Sequence, residues 1–237
     1  MTDTPTAAPR TFEVRHVQIA RAGFAIIATV MITFSTDHSA PVGLAVFSGF
    51  AIATGLVHLL AAWLVYAAGA RWPSVLVGAV TLVAGMLAGI GPLRTTTGFL
   101  VIVIAWALVS GAIEAVAGGR ALRGPRAAKA GDIEPWAGGP LTPDAPRSQA
   151  RDALVVGILT IVLGVALLFV RASYALQYTI DEVGETFTLT GIIIAVGIFG
   201  GYAAVVGVYL AIAGFSPRAP LPVTTEAPAS QNLKDHA

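Results

Sequence analysis

Two ionisable side chains, His58 and Glu114, lie far from the ends of long apolar stretches of the sequence. Imidazole and carboxylate groups are the usual proton acceptors and donors of proteins. Ionisable groups inside a membrane are costly, so they are candidates for a function and usually need a partner. One interpretation of this pattern is a proton-responsive pair. The alternative is that each is a packing group that snorkels to water or bonds a backbone carbonyl.

A cluster of acidic residues follows two tyrosines just before the last apolar stretch. Tyr174 and Tyr178 are four residues apart, a spacing that places them on one helical face, where tyrosines favour a membrane interface. We expect a short interfacial helix over residues 172–180, followed by an acidic turn. Protonation of the turn in acid would let the segment settle closer to the bilayer, whereas the alternative is a structural lid. The candidate proton-responsive carboxylates of this turn are Asp181, Glu182 and Glu185.

The sequence carries no recognisable catalytic or metal-binding motif. It has no cysteine, and it has no phosphate loop, nucleophile elbow or pair of intramembrane aspartates. The acidic turn lacks the spacing of a calcium loop. The four histidines lack zinc-ligand spacing: His16, His38, His58 and His236. We therefore expect a protein that is not an enzyme and that binds no cofactor or metal.

The candidate proton-responsive residues lie in or beside six apolar stretches of the sequence. The 237-residue chain is 56% hydrophobic and only 11% charged, with a mean hydropathy of +0.79, far from globular averages. The stretches are continuously apolar, which fits helices rather than the alternating strands of a membrane barrel. Each is long enough to cross a hydrocarbon core about 30 Å thick. The predicted fold is all-α, a polytopic membrane protein with six transmembrane helices at 17–35, 41–68, 73–91, 97–118, 153–170 and 187–215.

Basic residues are distributed unevenly between the two sides of the predicted membrane. Of 14 lysines and arginines, 12 lie in or beside the termini and the connections after the second and fourth helices, and 2, Arg94 and Arg171, lie in the other connections. By the positive-inside rule, both termini are predicted to be cytoplasmic. On the cytoplasmic side, polar segments without apolar periodicity are predicted to be flexible, at 1–16, 119–152 and 217–237. On the external side, an enlarged loop is predicted at 171–186.

The six helices repeat as three hairpins. The phrases "VGAVTLVAG" at 77–85 and "VGILTIVLG" at 156–164 are near copies, and a shift of 56 residues places Gly55 on Gly111 and His58 on Glu114. The third hairpin follows at shifts of 79 and 96 for its two helices, so it holds 96 − 79 = 17 extra residues, and it has Leu210 at the position of Glu114. Such hairpins are parallel repeats around an axis along the membrane normal. His58 and Glu114 are therefore expected at similar depth.

Glycines recur at a spacing of seven residues, which places them on one helix face. In lipid, close backbone approach drives helix association, so these faces are predicted to be helix contacts. A leucine at Gly85 or Gly164 would then force the backbones apart. The alternative is that the glycines line a water-filled pore. The predicted packing glycines are Gly78, Gly85, Gly111, Gly157, Gly164 and Gly207.

Odd helices written "VGAVTLVAGMLAGIGP" and "VGILTIVLGVALLFV", with even helices written "LVIVIAWALVSGAIEAVAG", resemble the HdeD family of acid-resistance-associated bacterial membrane proteins over all six helices. The resemblance implies a six-helix inner-membrane protein linked to acid or envelope stress, without a catalytic activity or an active-site motif. The chain departs from the family pattern in its long linker, its enlarged last external loop and its long C-terminal tail.

Three functions are consistent with these features. The first is a non-enzymatic, stress-associated membrane protein of the HdeD type. The second is a small channel or transporter for protons or a small solute, and the third is an accessory subunit of a larger membrane complex. The expected partners are the lipid bilayer and either another membrane protein or a second copy of the chain, and nucleic acid is not expected.

Overall fold

A computed structural model describes residues 12–66, 68–123, 145–180 and 184–216 of the chain. In these residues the fold consists of long α-helices, one β-hairpin and two short 3-10 helices at Ala68–Ala70 and Gly91–Leu93. The helices are α1 (Val14–Phe34), α2 (Ala40–Leu64), α3 (Trp72–Gly89), α4 (Thr96–Arg123), α5 (Ala145–Leu168) and α6 (Gly191–Phe215). The strands are β1 (Ala175–Ile180) and β2 (Glu185–Thr190).

All six described helices are long and apolar enough to cross a membrane. Their outer surface exposes large apolar side chains such as Ile27, Met86 and Val162. An exposed apolar surface of this extent is unfavourable in water, whereas lipid tails cover it without loss. The chain is therefore a multi-pass membrane protein, as its composition predicts.

Helices α4 and α5 extend into the segment 119–152 that the sequence predicts to be a flexible linker. Helix α4 continues to Arg123, with Arg120 and Arg123 in its last turn, where positive charge interacts favourably with the helix dipole. Helix α5 begins at Ala145 in the segment "APRSQARDA", which is rich in good helix formers. The linker prediction is wrong at both of its ends. The rest of the linker, the first eleven residues and the tail 217–237 lie outside the described residues.

Two other predicted boundaries differ from the structure. Helix α1 already begins at Val14, inside the predicted flexible segment 1–16. Helix α2 ends at Leu64 rather than at residue 68. Arg71 stabilises this earlier turn, because its Nε donates a hydrogen bond to the Tyr66 carbonyl at 3.0 Å and its guanidinium lies 5.4 Å from the Trp63 ring.

The predicted interfacial helix at 172–180 is wrong, because this segment forms the antiparallel hairpin β1–β2. A spacing of four residues between Tyr174 and Tyr178 fits a helical face but also fits two steps of strand alternation. The segments "ALQYTI" and "ETFTLT" are rich in β-branched and aromatic residues, which favour strands. Tyr178 stacks on its cross-strand partner Phe187 at 5.8 Å, and Gly184 supplies a positive φ of 66° in the turn. Helix α6 consequently begins at Gly191 rather than at residue 187.

The helices form a closed ring in chain order, with α6 packed against α1. The closest packing lies between successive hairpins, where α2 meets α3, α4 meets α5 and α6 meets α1. At each of these seams, a glycine of the even-numbered helix faces an aliphatic residue of the odd-numbered helix. The facing pairs are Gly55 with Leu82, Gly111 with Ile161, and Gly207 with Ile26. The sequence repeat relates these three pairs, so the bundle has pseudo-threefold symmetry.

Glycine is needed at these seams because no side chain fits between the backbones. A Cβ at Gly111 would lie 2.8 Å from the Gly157 carbonyl oxygen and 2.9 Å from the Ile161 nitrogen. The other predicted packing glycines also face a neighbouring helix: Gly78, Gly85, Gly157, Gly164 and Gly207. Each tight seam joins two different hairpins. The near copies at 77–85 and 156–164 lie in α3 and α5, the helices with which the second and third hairpins contact the preceding hairpin.

The even-numbered helices are the most deeply buried and contribute an aromatic layer to the axis. In this layer, ring centroids are 5.1 Å apart for Phe47 and Trp106, 5.8 Å for Phe50 and Phe199, and 6.1 Å for Trp106 and Tyr202. All three contacts are edge-to-face, which is one of the two favoured arrangements of aromatic pairs. We call these five residues the aromatic layer. The aromatic layer lies on the axis toward the end of the bundle that carries the β-hairpin. We call the opposite end, where α1 begins and α6 ends, the basic end.

Candidate functional site

A buried charged triad lies on the axis between the aromatic layer and the basic end. Arg21 of α1 donates a hydrogen bond from its guanidinium to Glu114 Oε1 of α4 at 2.9 Å. His58 Nε2 of α2 lies 3.6 Å from the same carboxylate oxygen. The side chains are 15% exposed for Arg21, 9% for Glu114 and 8% for His58. The structure thus brings together the two residues that the repeat places at one depth.

The sequence prediction missed Arg21, the third member of the triad. A basic residue near the start of a predicted helix is typical of the membrane interface, and Arg21 is among the 12 basic residues assigned to that side. Helix α1 begins at Val14, so Arg21 lies about two turns inside it. The repeat contained a signal, because the equivalent positions are the apolar residues Val77 and Val156.

Arg21 and Glu114 form a buried ion pair between helices that are not neighbours in the ring. Removing one partner of such a pair typically costs about 3–5 kcal/mol, because an uncompensated charge remains, whereas replacing both by apolar residues is often neutral. The pair therefore couples α1 to α4 across the axis.

A small chamber separates the triad from the aromatic layer. The space open to the centre of a water molecule is about 20 Å³. Phe50 of the aromatic layer and His58 of the triad are eight residues apart on α2, or roughly 12 Å along the axis. Between them, the chamber is lined by the small polar side chains Thr54 and Ser110. Such a space accepts water but no larger solute.

Hydrogen bonds that line the chamber follow the pseudo-threefold repeat. Trp106 Nε1 donates to Thr81 Oγ1 at 3.1 Å, and the Tyr202 hydroxyl shares a 2.8 Å hydrogen bond with Thr160 Oγ1. These two pairs occupy equivalent positions in the second and third hairpins. The first hairpin has Phe50 and Ala25 at the same positions, so donor and acceptor are both replaced and neither polar group is left unpaired.

A second polar cluster links three helices nearer the basic end. Asp152 of α5 accepts hydrogen bonds from Gln18 Nε2 of α1 at 2.7 Å and from the Tyr209 hydroxyl of α6 at 2.9 Å. The sequence prediction missed this cluster because it assigned Asp152 to the flexible linker. Its hydrogen bonds hold α5 to the α1–α6 seam.

The predicted acidic site of the last external loop is only partly described. Asp181 and Glu182 lie outside the described residues, and the backbone of Glu185 begins β2. Among the residues that the structure describes, no three His, Cys, Asp or Glu side chains are grouped so that they could hold a metal ion.

No protein-family model, curated protein or solved structure matches the chain. The class is therefore defined by the fold and the site alone. This is a multi-pass membrane protein whose described residues form a pseudo-threefold bundle of six long helices with a buried Arg–Glu–His triad on its axis.

Proposed function

We propose that this chain is a non-enzymatic, stress-associated protein of the bacterial inner membrane, and that the triad is its proton-responsive element. The observation that carries the proposal is the position of Glu114, whose carboxylate oxygen faces both Arg21 and His58 in the bundle interior. The carboxylate of Glu114, which can gain a proton, thus balances the positive charge of Arg21. The resemblance to the HdeD family supports the same class of function.

The response follows from the charge of Glu114. While the carboxylate is ionised, it compensates Arg21, whose guanidinium stays charged at any physiological pH. When acid protonates the carboxylate, Arg21 is left as a buried cation. The stabilisation therefore depends on the charged form of the carboxylate. Tyr66 lies just beyond α2, near Arg21 and Glu114. Burial raises the pKa of its phenol, so Tyr66 stays neutral at neutral and acidic pH.

We expect Glu114→Gln, which mimics the protonated acid, to abolish the acid response. The thermal unfolding temperature of the wild-type protein in detergent should fall as the pH is lowered from 7 to 4. The unfolding temperature of Glu114→Gln should already be low at pH 7 and change little with pH. The exposed Glu13→Gln is the matched control and should follow the wild type. Equal pH dependence in the wild type and Glu114→Gln would overturn the proposal.

A small proton channel is the second candidate, because the chamber places Arg21, His58 and Glu114 on the axis. Against it, the aromatic layer fills the axis on the hairpin side, and charged groups are otherwise sparse inside the spans. We expect liposomes that contain the protein and a trapped pH-sensitive dye to show no proton flux above protein-free liposomes. Flux that is present in the wild type and lost in Glu114→Gln would favour the channel instead.

We further propose that both termini are cytoplasmic, on the basis of the asymmetry of basic residues. The native chain has no cysteine, so single-cysteine labelling is unambiguous. In intact cells, an impermeant thiol reagent should modify Gln177→Cys on the hairpin and leave Ser148→Cys and Ser230→Cys unmodified until the membrane is permeabilised. The reverse pattern would invert the topology.

A further inference from the structure

The hydrogen bonds of His58 define which of its ring nitrogens carries a proton. The Ser74 hydroxyl donates its single proton to the His58 carbonyl oxygen at 2.8 Å. The Ser74 hydroxyl oxygen also lies 3.4 Å from His58 Nδ1, and because its proton is already donated to the carbonyl, Nδ1 must be the donor in this second contact. In a neutral imidazole, Nε2 is then an unprotonated acceptor.

An unprotonated Nε2 faces another acceptor. Glu114 Oε1 lies 3.6 Å away, and two lone pairs at that distance do not stabilise each other. A second proton on His58 would turn the balanced Arg21–Glu114 pair into a site of net positive charge inside the membrane, which is costly. The neutral ring therefore needs a donor that the protein does not provide, since Nε2 is buried without a hydrogen-bond partner.

A second unpartnered group lines the same chamber. The hydroxyl oxygen of Thr54 is also buried without a hydrogen-bond partner, and both Thr54 and His58 are at least nine-tenths buried. A buried hydroxyl without a partner is destabilising, because it loses its hydrogen bonds to water and gains none in the protein. Arg21, which also lines the chamber, has a third buried polar atom without a partner, its Nε, and three such atoms around one small cavity indicate a polar occupant rather than an empty space.

We propose that the chamber is a water-binding site and that one water molecule bridges His58, Thr54 and Glu114. The water donates one proton to His58 Nε2 and the other to Glu114 Oε1, and it accepts the Thr54 hydroxyl proton. Buried waters typically make about three hydrogen bonds and need roughly 10–15 Å³ of space open to a water centre. The chamber has about 20 Å³. The inference goes beyond the proposed function, because the water is needed at neutral pH whether or not the triad responds to acid.

Nitrogen-15 solid-state NMR of the full chain in lipid bilayers tests this site. A single-histidine protein with His16→Gln, His38→Gln and His236→Gln isolates the His58 ring. At pH 7 we expect a protonated Nδ1, an unprotonated Nε2, and a correlation between the water proton resonance and Nε2. A ring that is protonated on both nitrogens, or an Nε2 without a water correlation, would overturn the proposal.

Substitutions of Thr54 identify the second contact of the water. Thr54→Val removes the hydroxyl at nearly constant volume and should abolish the correlation, whereas Thr54→Ser should retain it. The matched control is Thr29→Val, because the Thr29 hydroxyl bonds its own helix at Ala25 and does not line the chamber. A correlation that survives Thr54→Val would exclude the proposed bridge. A stability that does not change with pH would refute the proton-responsive function while leaving these spectra as expected.

Discussion

Replacing Glu114 by Leu should destabilise the protein by about 3–5 kcal/mol, because Arg21 would remain as a buried cation without a partner. Arginine cannot lose its proton in a protein, so the site has no route to neutrality. For a chain of this size, the loss corresponds to a fall of roughly 10 °C in the thermal unfolding temperature. Arg21→Val should cost less, because the remaining Glu114 can take up a proton. Thermal unfolding of the purified variants in detergent measures both effects.

The double variant Arg21→Val with Glu114→Leu separates the missing interaction from a general loss of packing. It introduces the residues that the third hairpin already has at these positions, Val156 and Leu210. Since both charges are removed, its stability should return close to that of the wild type. Arg15→Ala is the surface control, because the Arg15–Glu13 ion pair is more than half exposed and should contribute less than about 1 kcal/mol. Additive losses in the double variant would contradict this account of the ion pair.

Adding one methyl group at Gly111 should cost about 1–3 kcal/mol, because the α4–α5 seam has no room for it. The new Cβ would meet the Gly157 carbonyl oxygen and the Ile161 nitrogen, both of which are backbone atoms that move only with their helix. Gly164→Ala should cost less, because its Cβ would meet the Leu108 side chain at 2.9 Å, and a side chain can change its rotamer. The unfolding temperatures in detergent should therefore rank Gly111→Ala below Gly164→Ala.

Gly119→Ala on the same helix is the control for this prediction. Nothing lies within 4 Å of a Cβ at that position, and alanine favours a helix over glycine by up to about 1 kcal/mol. Gly119→Ala should therefore leave the unfolding temperature unchanged or raise it. If Gly111→Ala behaved in the same way, the α4–α5 seam would not be held by close backbone contact.

Much of the architecture could be predicted from the sequence because it depends on local pattern. Membrane crossing requires about 20 apolar residues in a row, and that property is visible in any one segment. The repeat also predicted that His58 and Glu114 lie at one depth, and the two side chains are 3.6 Å apart. A gap-free shift of 56 residues preserves depth whatever the details of packing.

The last external segment shows where local pattern is ambiguous. Tyr174 and Tyr178 fit both a helix and a strand, so spacing alone could not decide between them. The decision comes from pairing, since Tyr178 stacks on Phe187 and Leu176 lies opposite Leu189 only when β1 and β2 are aligned. That alignment joins residues on two sides of the turn at Gly184.

The sequence by itself determined the fold class, the number of spans and the depth of His58 and Glu114, because each follows from the order and periodicity of residues along one chain. Only the tertiary structure decided that Arg21 completes the site. The direction in which Arg21 points depends on the rotation of α1 about its own axis. The α1–α6 seam sets that rotation, where Gly207 meets Ile26. Gly207 and Ile26 are far apart in the sequence. Their contact, which orients Arg21 toward Glu114, forms only when α6 packs against α1 and closes the ring of helices.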